Sequence, residues 1–238
     1  MYRRTRLLTL VAVGFAIALG WVGWDRLGST RVAFTDRATA AEDKQVLSSE
    51  QAWQRLQAGN NRFAEGMMER PDLGASRRQE LSKGQKPFAI VLTCADSRLS
   101  PEFIFNQGLG DLFVVRVAGN IADPFVLGSI EYAVEHLHVP LIAVLGHEKC
   151  GAVEAALGVD KPPGNLGKVV GSIATGKDLP AGKEAALAAA ITHNARHQTR
   201  LLTERSDVIR DHVARKEVRI VAGVYHLGTG KVEWLPVN

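Results

Sequence analysis

Two short stretches carry residues able to do chemistry together. Residues 94–98 read Cys-Ala-Asp-Ser-Arg, and residues 146–151 read Gly-His-Glu-Lys-Cys-Gly. Thiolate sulfur and imidazole nitrogen are the usual zinc donors, and two cysteines with one histidine leave a fourth tetrahedral position for water. Cys94, His147 and Cys150 make such a set. Asp96 has two courses. It fills the fourth position, or it turns to Arg98, two residues on, in a charge-assisted pair that keeps it ionised. Metal and arginine thus compete for one carboxylate. The bland alternatives are a disulfide between Cys94 and Cys150, which leaves Asp96, Arg98 and His147 without a task, and a closed Cys₂HisAsp zinc site without chemistry.

The elements that must position these residues are readable around them. Residues 87–93 (PFAIVLT), 112–117 (LFVVRV) and 139–145 (VPLIAVL) are short apolar runs rich in β-branched residues. Continuous apolarity suits strands buried on both faces of a parallel sheet. The first run leads into Cys94 and the third into His147, so both motifs lie at carboxyl ends of strands, where open parallel sheets bind ligands. Val126, Ile130, Val134 and Leu137 recur at helical spacing between the second and third runs, which predicts a βαβ unit. Ser48 or Ser49 caps a helix through Trp53 and Leu56 to Phe63, with Gly59 weakening its middle. Residues 66–78 read as loop, and residues 158–182 as loop with one short helical piece. Alanine-rich residues 183–202 and residues 207–215 read as helices. Residues 218–227 and 231–235 read as two strands around Gly228-Thr229-Gly230. The expected fold is α/β: a mainly parallel β-sheet of four to five strands flanked by helices, with zinc at the C-terminal ends of the strands.

The N-terminus is different in kind. Three arginines within residues 1–6 precede an uncharged, apolar run of 18 residues, 7–24. That is the form of an export signal, and the run is also long enough to anchor the chain in a bilayer. The expected organisation is an export signal or membrane anchor over 1–25, a linker over 26–46 and a catalytic domain over 47–238. The protein is then periplasmic, or held on the inner membrane facing the periplasm. Residues 38–40 (Ala-Thr-Ala) have a cleavage-site form, and Arg3-Arg4 suggests twin-arginine export. Residues 1–40 hold six of the 29 basic and two of the 25 acidic residues, so the remainder is balanced and offers no basic surface for nucleic acid.

Other candidates read as structure. His193 and His197 stand at i, i+4 on a helix, but arginines flank them and no acidic third ligand is near. His136 and His138 lie at a helix end, where cations suit the dipole. Gly108-Leu109-Gly110 lacks the third glycine of a dinucleotide loop and precedes a strand. Tyr225 and His226 read as strand packing.

Taken with F-V-V-R-V-A-G-N at 113–120, L-x-x-G-N-x-R-F at 56–63, G-Q-K-P at 84–87 and V-Y-H-L-G-T-G-K-V at 224–232, the two motifs resemble the β-class carbonic anhydrases over residues 47–236. The resemblance implies a lyase (carbonate dehydratase) that reversibly hydrates CO2 to bicarbonate and a proton by attack of zinc-bound hydroxide. It implies one Zn2+ per chain on Cys94, His147 and Cys150, with Asp96 and Arg98 as a catalytic dyad and Gln85, Phe113 and Tyr132 near the substrate. It further implies a homodimer or higher homo-oligomer with active sites at the dimer interface and the helix around Trp53–Phe63 embracing the partner. Ala95 and Val117 depart from residues common in relatives. Val91 stands where members gated by a regulatory bicarbonate carry tryptophan, so Asp96 is expected on Arg98. Two rivals are a hydrolase of a CO2 analogue such as carbon disulfide, and a non-catalytic zinc-binding or thiol-redox protein.

Overall fold

The computed structural model describes residues 47–160 and 162–236. The export segment and the whole linker lie outside the described residues. Among the described residues, no helix is long and apolar enough to cross a membrane.

Five strands form one sheet: β1 (Ala89–Thr93), β2 (Leu112–Arg116), β3 (Leu141–His147), β4 (Arg219–Tyr225) and β5 (Val232–Leu235). Their order is β2-β1-β3-β4-β5, all parallel except the antiparallel β4–β5 pair. Every residue of β1 and β3 is buried, which is why these runs show no alternation in the sequence. Ala89, Val91, Leu141, Ala143 and Leu145 pack on one face with Leu56, Val153 and Ile191. Ile90, Leu92, Ile142 and Val144 pack on the other with Ile130, Leu202 and Ile209. The helices covering the first face are α1 (Ser49–Ala64), α5 (Gly151–Leu157) and the start of α7 (Lys183–Arg205). Those covering the second are α4 (Pro124–Glu135), α8 (Asp207–Ala214) and the end of α7.

The first helix starts where the sequence places it. Ser48 Oγ accepts from Gln51 N–H at 3.2 Å while Gln51 Oε1 accepts from Ser48 N–H at 2.9 Å, a reciprocal capping box. Gly59 costs helix propensity for a reason the local pattern hides. A Cβ there would meet Phe105 O at 1.8 Å, so the glycine lets α1 lie against the end of α3 (Pro101–Ile104). Next to it, buried Asn60 donates to Ile104 O and Gly230 O and accepts from Val232 N–H, tying α1 to β5.

Part of the expected loop at 66–78 is helical. The segment α2 (Ala75–Leu81) has no apolar stripe, and it is held instead by Arg77, whose guanidinium donates to Leu109 O at 2.9 and 3.1 Å. The short helical piece within 158–182 is α6 (Gly164–Gly171). Since β1 connects outward to β2 and the chain returns on the other side as β3, strand order reverses between β1 and β3. Both chemical motifs leave the sheet at that crevice.

Candidate metal centre

Cys94 directly follows β1, His147 is the last residue of β3, and Cys150 precedes the first turn of α5. Their ligand atoms all lie within 4.8 Å of one another, and the three residues are 5%, 0% and 1% exposed. Both cysteines are free thiols, so no disulfide occupies the crevice. Among the described residues this is the one cluster of three or more His, Cys, Asp or Glu side chains able to hold a metal.

The donor set is oriented for that task. His147 Nδ1 lies 2.8 Å from the Glu148 carbonyl, which only accepts, so Nδ1 carries the proton and Nε2 presents its lone pair. That buried Nε2 has no hydrogen-bond partner. An orphaned buried acceptor beside two thiols fits a metal and is otherwise costly. The two thiols are held unequally: hydrogen bonding from Cys150 draws the Cys94 thiol toward thiolate, against burial and helped by the Gly119 N–H, while the bond to Cys94 and burial push Cys150 up. Gly119 N–H reaches Cys94 Sγ at 3.4 Å.

Asp96 is paired with Arg98. Arg98 Nε donates to Oδ1 at 2.8 Å and Nη2 to Oδ2 at 2.7 Å, and the Arg98 backbone N–H adds a third bond to Oδ1 at 3.0 Å. This arginine bonding, above the opposing effect of burial, holds the Asp96 carboxyl well below the usual carboxylate range. Asp96 Oδ2 remains 3.9 Å from His147 Nε2, beside the metal position. Arg98 itself is tethered by Nη2 to Lys149 O at 3.2 Å. Of the two courses open to Asp96 in the sequence, the structure takes the arginine.

Two supports escaped the sequence reading. Arg116, at the carboxyl end of β2, donates to Cys94 O at 3.2 Å and to Asp96 O at 2.7 Å, clamping the backbone of the first motif. A lone arginine ending an apolar strand is the one local sign of it. His226 is the second, and packing does not describe it. Its Nδ1 lies 2.8 Å from Glu148 Oε1 and its Nε2 3.1 Å from Glu233 Oε2, while Leu227 N–H donates to Glu148 Oε2. This cluster fixes the residue whose carbonyl orients His147.

A pH dependence follows from His226. Burial pulls its pKa down, but the Glu148 and Glu233 carboxylates outweigh burial and raise it above the ordinary value. A raised histidine stabilises fully below its unfolded value, about 6.5, and loses that contribution as pH rises through the folded value. Thermal melts of wild type and His226→Gln are expected to differ most near pH 6 and to converge by pH 9, with at most about 1 kcal/mol at stake for so accessible a cluster.

The three residues expected near the substrate are not brought to this centre within one chain. Gln85 is exposed and precedes β1, whereas Cys94 follows it, and a five-residue strand spans about 16 Å. Phe113 pairs in register with Ile90, at the start of β1, and packs with the face opposite the Cys94 cluster. Tyr132 lies on α4 with its ring 6.4 Å from that of Phe113 and 48% exposed. His193 and His197 stack at 6.5 Å, and Arg200 Nη2 sits 2.8 Å from His197 Nδ1, as suits a solvated cationic face.

Comparison with known proteins agrees with this geometry. The family profile described as carbonic anhydrase matches residues 89–232. The carbonic anhydrase of Mycolicibacterium smegmatis is 42% identical over 189 residues, 76% of this chain and 91% of the relative. Carbonic anhydrase 2 of Mycobacterium tuberculosis is 43% identical over 187 residues, 76% and 89% of the two chains. Among solved structures, the Coccomyxa β-carbonic anhydrase in complex with acetazolamide superposes with a TM-score of 0.62 at 25% identity, covering 82% of this chain and 87% of that one. With the parallel sheet, the crevice between β1 and β3 and the Cys-His-Cys group on the page, the chain belongs to the β-class carbonic anhydrase family and is an enzyme of that kind.

Proposed function

We propose that the chain catalyses reversible hydration of CO2 to bicarbonate and a proton, with one zinc ion held by Cys94 Sγ, His147 Nε2 and Cys150 Sγ. The observation that carries this reading is the orphaned Nε2 of His147 facing two thiols, beside a carboxylate locked to arginine. Zinc in that position supplies a nucleophile from water at neutral pH by lowering the water's pKa to about 7. The chain's own residues do the rest. Asp96, kept ionised, offers the remaining lone pair of Oδ2 to the O–H of the attacking water and so turns the water's lone pair towards the substrate carbon. It orients a proton without storing one, because Arg98 holds it in the anionic form. Arg98 and Arg116 fix, respectively, the side chain and the backbone of Asp96. Chelation is expected to abolish CO2 hydration, and one equivalent of zinc per chain to restore it. Full activity in protein shown to be zinc-free would overturn the reading.

We also propose that the site is completed across a homodimer or a higher homo-oligomer. The family resemblance puts Gln85, Phe113 and Tyr132 near the substrate, and one chain's geometry keeps them away, so the partner's copies are the ones that serve. Phe125 (87% exposed), Phe103 (58%) and the half-buried edge strand β2 offer an apolar surface for such pairing. Gln85→Ala is expected to lower kcat/KM about tenfold, the effect of one lost polar contact to substrate, with zinc content unchanged. Mixing that variant with a His147→Ala chain is expected to raise activity above either parent, to about a quarter of wild type for random dimers, because one site per mixed dimer is intact. No gain on mixing would place Gln85 in its own chain's site. Residues 1–25 we read as directing export to the periplasm or anchoring at the inner membrane, on their arginines and apolar run.

A further inference from the structure

We infer that Asn194 on α7, braced by Gln198, is a positioning residue for the metal centre: by holding the Gly119 carbonyl it fixes the residue whose N–H donates to Cys94 Sγ. This rests on the reading of Cys94 as a zinc ligand. Gly119 has φ +72°, and a Cβ there would meet Ile173 Cδ1 at 2.7 Å, so the position demands glycine. Glycine also surrenders the side-chain constraint that would fix its own peptides. External bonds fix them instead. Asn194 Nδ2 donates to Gly119 O at 2.9 Å, on one side of the residue, while Gly119 N–H meets Cys94 Sγ at 3.4 Å on the other. Asn194 Oδ1 accepts from Ala174 N–H at 3.2 Å and Gln198 Nε2 at 3.0 Å. Gln198 Nε2 donates in addition to Ser172 O, and its Oε1 accepts from Ala122 N–H, both at 2.9 Å. The two amides are 1% exposed. A helix more than seventy residues away thereby pins the loop at Gly119 O and at Ala122 N–H, just beyond the N–H that meets the sulfur.

The chemical consequence is specific. An N–H···S bond draws part of the thiolate's charge, leaving more positive charge on a metal that the thiolate binds. Buried polar groups of a merely structural network would stabilise the loop without touching the ligand's electronics. Asn194 is joined to a ligand atom through one residue.

The test uses the full chain loaded with cadmium, which takes thiolate donors and is read by cadmium-113 NMR, alongside the amide proton of Gly119. Asn194→Ala is expected to move the cadmium resonance, shift the Gly119 amide upfield as its bond lengthens, and weaken metal binding about tenfold, as loss of a ligand's supporting partner does. Leu202→Ala is the control, since Leu202 is buried on the same helix but faces the opposite core. It is expected to lower Tm and leave both resonances in place. Should Asn194→Ala fail to fold, Gln198→Ala releases the loop at Ala122 and is expected to shift the same two signals less. Wild-type cadmium and Gly119 signals in the folded variant would overturn the proposal and leave the metal centre standing. Failure of the wild-type chain to bind cadmium or zinc at all would instead overturn the metal reading, and this inference with it.

Discussion

Replacing His147 with alanine is expected to remove stoichiometric zinc and to lower kcat/KM for CO2 hydration by more than about 100-fold, beyond the range for loss of a ligand's supporting partner. The reason is geometric. His147 is fully buried, its Nδ1 is committed to the Glu148 carbonyl, and its Nε2 is one of only two buried side-chain polar atoms without a partner among the described residues. No other described His, Cys, Asp or Glu cluster can substitute. Because alanine also leaves a cavity, His147→Gln is the companion, filling the volume with a polar side chain but no imidazole. Both variants are expected to lose zinc, measured by metal analysis, while the glutamine variant keeps a near-native circular dichroism spectrum. Retention of one zinc per chain with activity within about tenfold of wild type would remove His147 from the ligand set.

Arg98→Ala carries the second large effect. It deletes the two side-chain bonds that hold Asp96 and leaves the single backbone bond at 3.0 Å. Asp96 Oδ2 already lies 3.9 Å from His147 Nε2, so a freed carboxylate needs only to rotate to reach the metal position. The expected outcome is closure of the site, with kcat/KM lower by about 100- to 1000-fold, the range for loss of a preorganised electrostatic group. Zinc content should stay at one per chain, which separates this variant from the His147 series. Arg98→Lys should rescue little, since a point ammonium cannot reproduce the bidentate fork. Asp96→Asn added to Arg98→Ala should cost almost nothing further, because the two residues act as one unit. An additive double variant would mean that Asp96 and Arg98 serve separate steps.

How much of this was legible in the sequence depended on the distance over which each feature is encoded. Cys94, Asp96 and Arg98 stand within five residues of one another and His147 and Cys150 within four, each group at the end of an apolar run. Local spacing therefore carried the candidate ligands, the Asp96–Arg98 pair and the strands that deliver them. The parallel sheet was readable for the same reason, since burial on both faces leaves continuous apolar runs. What joins distant segments left no pattern. Asn194 reaches Gly119 across 75 residues and His226 reaches Glu148 across 78, and neither neighbourhood differs from an ordinary helix or strand. Gly59 read as a helix weakness because only the partner backbone of Phe105 explains it. The segment α2 depends on the single buried Arg77 rather than on apolar period. Gln85, Phe113 and Tyr132 came from family resemblance alone, and the single chain keeps them from the centre.

The most direct measurement is stopped-flow CO2 hydration by the zinc-loaded chain, with zinc and protein quantified in the same sample. At one zinc per chain, catalysis with kcat/KM above about 10⁴ M⁻¹s⁻¹ is expected, the lower end for an ordinary enzyme. One zinc per folded chain, with CO2 hydrated no faster than in buffer, would contradict the assignment of CO2 hydration to the Cys94, His147 and Cys150 centre.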